Sequence, residues 1–196
     1  MPEQLSLFSM PEPSRPTDRL FFALFPDAET AERLARLAGQ CRAREGLRGN
    51  LIAAARLHVT LQHLGDFPAF PERLAAAARE AGAEAAAESA PFEAAFSQAG
   101  SFAGRAGKKP YVLRCPEPPP ALLHLRQRLG AALVKRGLRP DKGSTFVPHI
   151  TLLYDDRLAP TQPVEPVRWR AHDFALVHSL LGQTRHIHLQ RWPLAG

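Results

Sequence analysis

Residues 57–61 read LHVTL and residues 149–152 read HITL, and these two stretches decide the fold. Both alternate polar and apolar side chains around a β-branched residue, a pattern that is typical of a half-buried β-strand. Because side chains two positions apart on a strand share a face, His58 lies with Thr60 and His149 lies with Thr151. The sequence therefore predicts two strands that each present one imidazole and one hydroxyl on the same face.

The elements before the two motifs repeat. An apolar strand over residues 20–25 is followed by Pro26, a helix and the first motif; a strand over residues 111–115 is followed by Pro116, a helix and the second motif. Pro26 precedes His58 by 32 positions, and Pro116 precedes His149 by 33. This spacing predicts two lobes of like topology, related by a pseudo-two-fold axis, with both motifs at one shared cleft.

Three helices and seven strands are predicted in all. The helices cover residues 31–41 with a stop at Gly46, residues 71–89, and a leucine stripe from Leu122 to Leu133 that closes at Gly137. The strands cover residues 20–25, 57–61, 92–98, 110–115, 149–154, 173–181 and 186–192. An α+β domain over residues 18–196 follows. Residues 1–17 are rich in proline and polar residues and are predicted to form a flexible tail.

Composition limits the possible functions. The chain has 196 residues, of which 45% are hydrophobic and 22% charged, as in a soluble single-domain protein. No apolar run is long enough for a membrane span, and no secretion signal is visible at the N-terminus, so a cytoplasmic location is expected. The net charge of +6 favours phosphate-bearing ligands. Cys41 and Cys115 suggest neither a disulfide framework nor a thiolate metal site.

Paired histidines suit the opening of a cyclic phosphate. One imidazole can accept a proton from water while the other protonates the departing oxygen, and threonine hydroxyls can donate to the phosphate oxygens. This chemistry requires no metal or other cofactor. A metal hydrolase that uses His186 and His188, which also alternate, is the weaker alternative, because no third ligand accompanies them at the usual spacing.

These motifs resemble those of the two-histidine phosphoesterase superfamily, and within it the bacterial RNA 2′,3′-cyclic phosphodiesterases, also called 2′-5′ RNA ligases. The resemblance covers about residues 19–194. It is carried by residues 19–26 (RLFFALFP), 57–65 (LHVTLQHLG), 146–152 (FVPHITL) and 192–194 (WPL). It implies a bilobal α+β fold in which two antiparallel sheets face a central cleft and the helices pack outside.

The resemblance also implies an activity. It is the hydrolysis of the 2′,3′-cyclic phosphate at an RNA end, such as that of a tRNA fragment, to a 2′-phosphate, with reversible 2′-5′ joining of RNA pieces by related chemistry. His58 would donate the proton to the leaving 3′ oxygen and His149 would accept one from water, while Thr60 and Thr151 would hold the phosphate.

One residue departs from the family pattern. Family members often carry an arginine five residues after the second histidine, where this chain has Tyr154; Arg157, Lys142 or Arg185 could supply that charge.

Two other functions stay open. The same fold could instead act on small cyclic nucleotides, or bind RNA ends without catalysis. Base stacking is open to four aromatic residues, most of which are expected in the core: Phe102, Tyr111, Phe146 and Trp169.

The predicted tail contains a second short motif. Residues Gln4 to Phe8 read QLSLF, which resembles the peptide with which bacterial replication and repair proteins bind the DNA sliding clamp. An inert tail is the alternative, because short motifs recur by chance. The protein is expected to be a monomer.

Overall fold

The fold is described from a computed structural model that covers residues 15–103, 108–140 and 146–195. Three helices lie in these residues: α1 (Ala28–Arg44), α2 (Glu72–Ala87) and α3 (Pro120–Lys135). A single 3₁₀ turn, Ala54–Arg56, precedes the first motif. The strands are β1 (Asp18–Leu24), β2 (Val59–Phe67), β3 (Phe92–Ser101), β4 (Lys109–Arg114), β5 (His149–Asp155), β6 (Gln162–Ala171), β7 (Asp173–Leu180) and β8 (Arg185–Pro193).

The strands form one antiparallel sheet in the order β6-β3-β4-β5-β2-β1-β7-β8. Two separate sheets were expected from the sequence, and here a correction is needed: β2 and β5 pair through Val59 and Ile150 and so join the two halves. The order still confirms the internal repeat, because β2 and β1 in one half match β5 and β4 in the other. The contact between the halves is therefore the point where the two motifs meet.

The helices cover one face of the sheet and bind its halves together. α1 follows β1 but packs on β5 and β6, whereas α3 follows β4 but packs on β2 and β3. Leu34 of α1 and the α3 residues Leu122 and Leu129 are fully buried in the main core with Val59 and Ile150. Each such leucine contributes about 1.5–3 kcal/mol by burial. This exchange of helices holds the two motifs in a fixed relation.

The predicted ends of α1 and α3 at Gly46 and Gly137 are confirmed. Asp27 caps α1 by accepting the Thr30 amide at 2.8 Å. Gly46 and Gly137 follow the ends of α1 and α3 with φ values of +62° and +73°, which glycine adopts without strain. The α2 helix begins directly after Pro71.

One strand was not predicted from the sequence. β6 contains Pro163 and Pro166, which argue against a strand in the interior of a sheet. It lies at the sheet edge, paired only with β3, where the outer ladder needs no amide donors.

The predicted tail lies largely outside the described residues, and with it Gln4 to Phe8. Of residues 1–17, only residues 15–17 are described. Thr17 belongs with the fold, since its amide donates to Phe67 and its carbonyl accepts from Leu181, each at 2.8 Å. No described helix is both long and apolar enough to span a membrane.

Candidate active site

The two motifs lie side by side where the sheet halves meet. Antiparallel pairing of Val59 with Ile150 sets His58 across from Thr151, and His149 across from Thr60. The residues between them, Val59 and Ile150, point into the helix-covered core and are fully buried. Two imidazoles and two hydroxyls therefore occupy one small area on the open face of the sheet, as the sequence predicted.

Both histidines are held in the same way. The Nδ1 of His58 lies 2.7 Å from the carbonyl of Arg56, and the Nδ1 of His149 lies 2.8 Å from the carbonyl of Val147. A carbonyl oxygen can only accept, so Nδ1 carries the proton in each ring. The Nε2 atom is thereby left for the substrate on both histidines, as an acceptor when the ring is neutral and as a donor when it is protonated.

A cleft of about 380 Å³ lies over this area. Its size suits a small ligand or the end of a longer one. All four predicted site residues line it. The other described residues that line it are Arg19, Phe21, Ile52, Arg56, His63, Tyr154, Ser179, Leu180, Leu181, Gly182, Thr184 and His186.

His58 lies within a group of aromatic rings. Phe21 stacks on it at 4.9 Å between centroids, Phe25 lies at 5.6 Å, and His186 meets it edge-on at 5.5 Å. Burial in this group lowers the pKa of His58 to about 4, and the positive charge of Arg56 adds to the effect. In the unliganded cleft at neutral pH, His58 is therefore a neutral imidazole.

Fewer aromatic rings surround His149 than surround His58. The ring of Phe102 meets it edge-on at 4.9 Å, and the Arg114 guanidinium lies over that same phenyl ring at 4.3 Å. Burial lowers the pKa of His149, and the charge of Arg114 lowers it further. A lowered pKa keeps His149 neutral near pH 7, which is the form that can accept a proton.

Two of the three cations suggested to replace the family arginine do not line the cleft. Arg157 donates to the carbonyl of Gly46 at 3.0 Å, and neither it nor Arg185 is among the lining residues. Lys142 lies outside the described residues. Two cations that were not predicted from the sequence line the cleft instead, Arg19 and Arg56.

The other predicted features have mixed outcomes. Tyr111 and Trp169 belong to the core, with 0% and 5% exposure, whereas Phe102 lies beside His149. His186 faces His58, and His188 packs on Phe25 at 4.3 Å. In the described part of the chain, no three His, Cys, Asp or Glu side chains group as metal ligands.

A backbone anchor beside β5 positions the loop that leads to the first motif. The Asp155 carboxylate accepts the amides of Arg48 and Gly49 at 2.6 and 2.7 Å, and the Ile52 amide donates to Leu152 at 2.8 Å. Amide donors, first that of Arg157, hold the pKa of Asp155 below its usual value. The loop therefore runs along β5 and delivers its last residues to the cleft.

Comparison with known proteins identifies the family of this chain. The model of the 2′-5′ RNA ligase superfamily matches residues 25–183, which is most of the chain. The chain belongs to this superfamily. An RNA 2′,3′-cyclic phosphodiesterase of Escherichia coli (strain K12) is 31% identical over 185 residues, which cover 90% of this chain and 96% of the relative.

Two solved structures are similar to this chain in fold. E. coli LigT complexed with NADP+ matches with a TM-score of 0.70 at 28% identity and covers 93% of this chain and 100% of its own. The protein TT0787 of Thermus thermophilus matches with a TM-score of 0.73 at 25% identity and covers 91% of this chain and 98% of its own. The α+β fold expected from the resemblance is confirmed.

Proposed function

We propose that this protein hydrolyses the 2′,3′-cyclic phosphate at an RNA end to a 2′-phosphomonoester, without a metal. The observation that carries the proposal is the pair of equivalent histidines in one cleft, each with Nδ1 bound to a carbonyl and Nε2 available. The superfamily membership and the name of the E. coli relative support it.

The resemblance to the two-histidine phosphoesterases assigns the two roles. Nε2 of neutral His149 accepts a proton from water while the water oxygen forms a bond to phosphorus. The bond between phosphorus and O3′ breaks, and Nε2 of protonated His58 donates its proton to O3′. One proton is taken up and one is given, so the pair returns to its starting state after an exchange with solvent. The 2′-5′ joining of RNA ends would open the same ring with the 5′ hydroxyl of a second RNA in place of water.

The threonines serve the phosphate. Each hydroxyl lies across from the histidine of the other motif, so Thr60 and Thr151 can donate to the two non-bridging oxygens from opposite sides. Charge grows on these oxygens as the pentavalent species forms, and donors that are already in place stabilise it most.

The main experiment is turnover of an RNA oligomer that ends in a 2′,3′-cyclic phosphate. His58→Ala and His149→Ala should each lower kcat by about 10²–10⁴-fold. His124→Ala is the matched control, since His124 is an exposed histidine of α3 on the outside of the fold. If the wild-type protein binds such RNA ends but does not hydrolyse them, the catalytic proposal is refuted and the protein is an RNA-end-binding module.

The size of the substrate separates RNA from small nucleotides. An RNA enzyme gains affinity from backbone phosphates beyond the terminal one, and that gain weakens with salt. We expect a higher kcat/KM for a short RNA than for a mononucleoside 2′,3′-cyclic phosphate, with the difference shrinking as salt rises. Equal values at all salt concentrations would favour the small-nucleotide phosphodiesterase.

We also propose a protein partner for the N-terminus. Residues 4–8 (QLSLF) resemble the clamp-binding peptide, and residues 9–16 separate them from Thr17, which is bonded to the domain. A linker of eight residues can span up to about 28 Å, so the peptide can bind a partner protein at that distance from the domain. Deletion of residues 1–10 should abolish binding to purified bacterial sliding clamp and leave turnover unchanged. Unaltered clamp binding would refute this contact.

A further inference from the structure

Arg56 is a cation in the lining of the cleft, and no acidic partner for it is present among the described residues. Its side chain lines the cleft, and its Nε atom is buried with no hydrogen-bond partner. The ion pairs among the described residues include none that involves Arg56. A buried donor without a partner is costly, and in a cleft a ligand is one group that can complete it.

The other cations near the motifs are already engaged. The Arg19 guanidinium donates two hydrogen bonds of 2.6 and 2.7 Å to the Asp66 carboxylate, which balances the charge of Arg19. Arg114 donates to Thr161 and to the carbonyl of Ser101, each at 3.0 Å. Arg56 is thus the arginine that combines a place in the described cleft lining with an uncompensated charge.

Arg56 and His58 are set by the same piece of backbone. Arg56 ends the 3₁₀ turn, with its amide bonded to the Ala53 carbonyl at 2.8 Å, and its own carbonyl holds the Nδ1 of His58 at 2.7 Å. The turn therefore fixes the backbone of Arg56 two residues before His58, and both residues line the same cleft.

We propose that Arg56 binds the substrate phosphate through its guanidinium and supplies the positive charge that family members place at the position of Tyr154. This inference rests on the proposed function. The guanidinium donates to a non-bridging oxygen and offsets the charge that accumulates there in the transition state. Tyr154 lines the same cleft, half exposed, and its phenol carries no positive charge.

The same contact would set the protons for catalysis. In the empty cleft the charge of Arg56 disfavours protonation of its neighbour His58. A bound phosphate balances that charge, so the imidazole can take up the proton that it must donate. Arg56 would therefore couple the arrival of the phosphate to the loading of the acid.

The test compares four variants on an RNA that ends in a 2′,3′-cyclic phosphate. Arg56→Gln should lower kcat/KM by about 100-fold or more. Arg56→Lys should keep part of the activity, because a point charge without the planar fork remains. Adding Tyr154→Arg to Arg56→Gln should restore activity at least tenfold, by returning a cation at the family position. Arg157→Gln is the control and should match the wild type.

A second readout separates charge from structure. Without the cation, the pKa of His58 in the unliganded protein should rise, which ring NMR of the folded Arg56→Gln variant measures directly. Full activity of Arg56→Gln, or absence of any rescue by Tyr154→Arg in a folded protein, would overturn the assignment. Failure of the proposed function looks different, because the wild type itself would then show no turnover.

Discussion

Substrate binding should load a proton onto His58, and the structure gives the size of the effect. Burial among aromatic rings puts the pKa of His58 at about 4 in the empty cleft. One negative charge about 4 Å away is worth about 2–4 kcal/mol in a partly screened site, which equals about 1.5–3 pH units. A bound phosphate should therefore raise the pKa of His58 to between about 5.5 and 7.

The protonated fraction changes accordingly. At pH 6, about 1% of His58 carries the second proton in the unliganded protein, and about a quarter or more carries it with phosphate bound. The rate constant kcat/KM reports the free enzyme and kcat reports the complex, so their pH optima should differ. We expect the optimum of kcat/KM below pH 6.5 and that of kcat closer to neutrality.

The assay is ring NMR of ¹³C-histidine-labelled protein, titrated alone and with saturating adenosine 2′-phosphate. His58→Phe identifies the His58 signal, since the replacement ring can keep the stacking on Phe21. A His58 signal that titrates near pH 6.5 in the unliganded protein would refute the reasoning. So would a signal whose pKa stays the same when the nucleotide binds.

Three further predictions concern stability and metals. The unfolded chain protonates His58 and His186 near pH 6.5 but the folded chain only near pH 4, so the free energy of unfolding falls as pH drops between these values. His186→Phe should make this dependence shallower in urea melts, and the contribution of His58 should remain. Gly82→Ala should destabilise the fold by about 1–2 kcal/mol, because the new Cβ would lie 2.6 Å from the Trp192 ring. A Cβ at Gly39 would have no atom within 4 Å, so Gly39→Ala should stabilise the fold by up to about 1 kcal/mol. Thermal melting measures both variants, and equal effects of Gly82→Ala and Gly39→Ala would contradict the packing of Gly82 against Trp192. Turnover should survive dialysis against EDTA, and its loss with recovery on adding zinc or magnesium would favour a metal hydrolase.

The sequence alone predicted most of the strands and both His–Thr pairs because local patterns determine them. Side chains alternate along any strand, so His58 and Thr60 share a face independently of the rest of the fold. The repeat of strand, proline, helix and motif is visible from residue spacing alone. Glycines after α1 and α3 marked their ends for a similarly local reason.

What the sequence could not predict depends on contacts between distant segments. β6 reads poorly as a strand because of Pro163 and Pro166, and only its edge position makes them acceptable. The joining of the two sheets rests on the single pair Val59 and Ile150.

The surroundings of the site were hidden for the same reason. Arg56 stands two residues before His58 and could have been noted, but its lack of a partner is visible only once Asp66 is seen to hold Arg19. The ring of His186 reaches His58 because β8 pairs with β7 on the far side of β1, and no spacing in the sequence encodes that neighbourhood.

The position of the phosphate in the product tests the central claim most directly. An RNA oligomer ending in a 2′,3′-cyclic phosphate is incubated with the protein in ¹⁸O-water, and the product is analysed by ³¹P NMR and mass spectrometry. Two histidines acting in line across one phosphorus atom should give a single 2′-phosphomonoester carrying one ¹⁸O, and its formation should be about 10²–10⁴-fold slower when either histidine is replaced by alanine. A 3′-phosphate, a mixture of both isomers, or product formation at the wild-type rate without His58 or His149 would contradict the account.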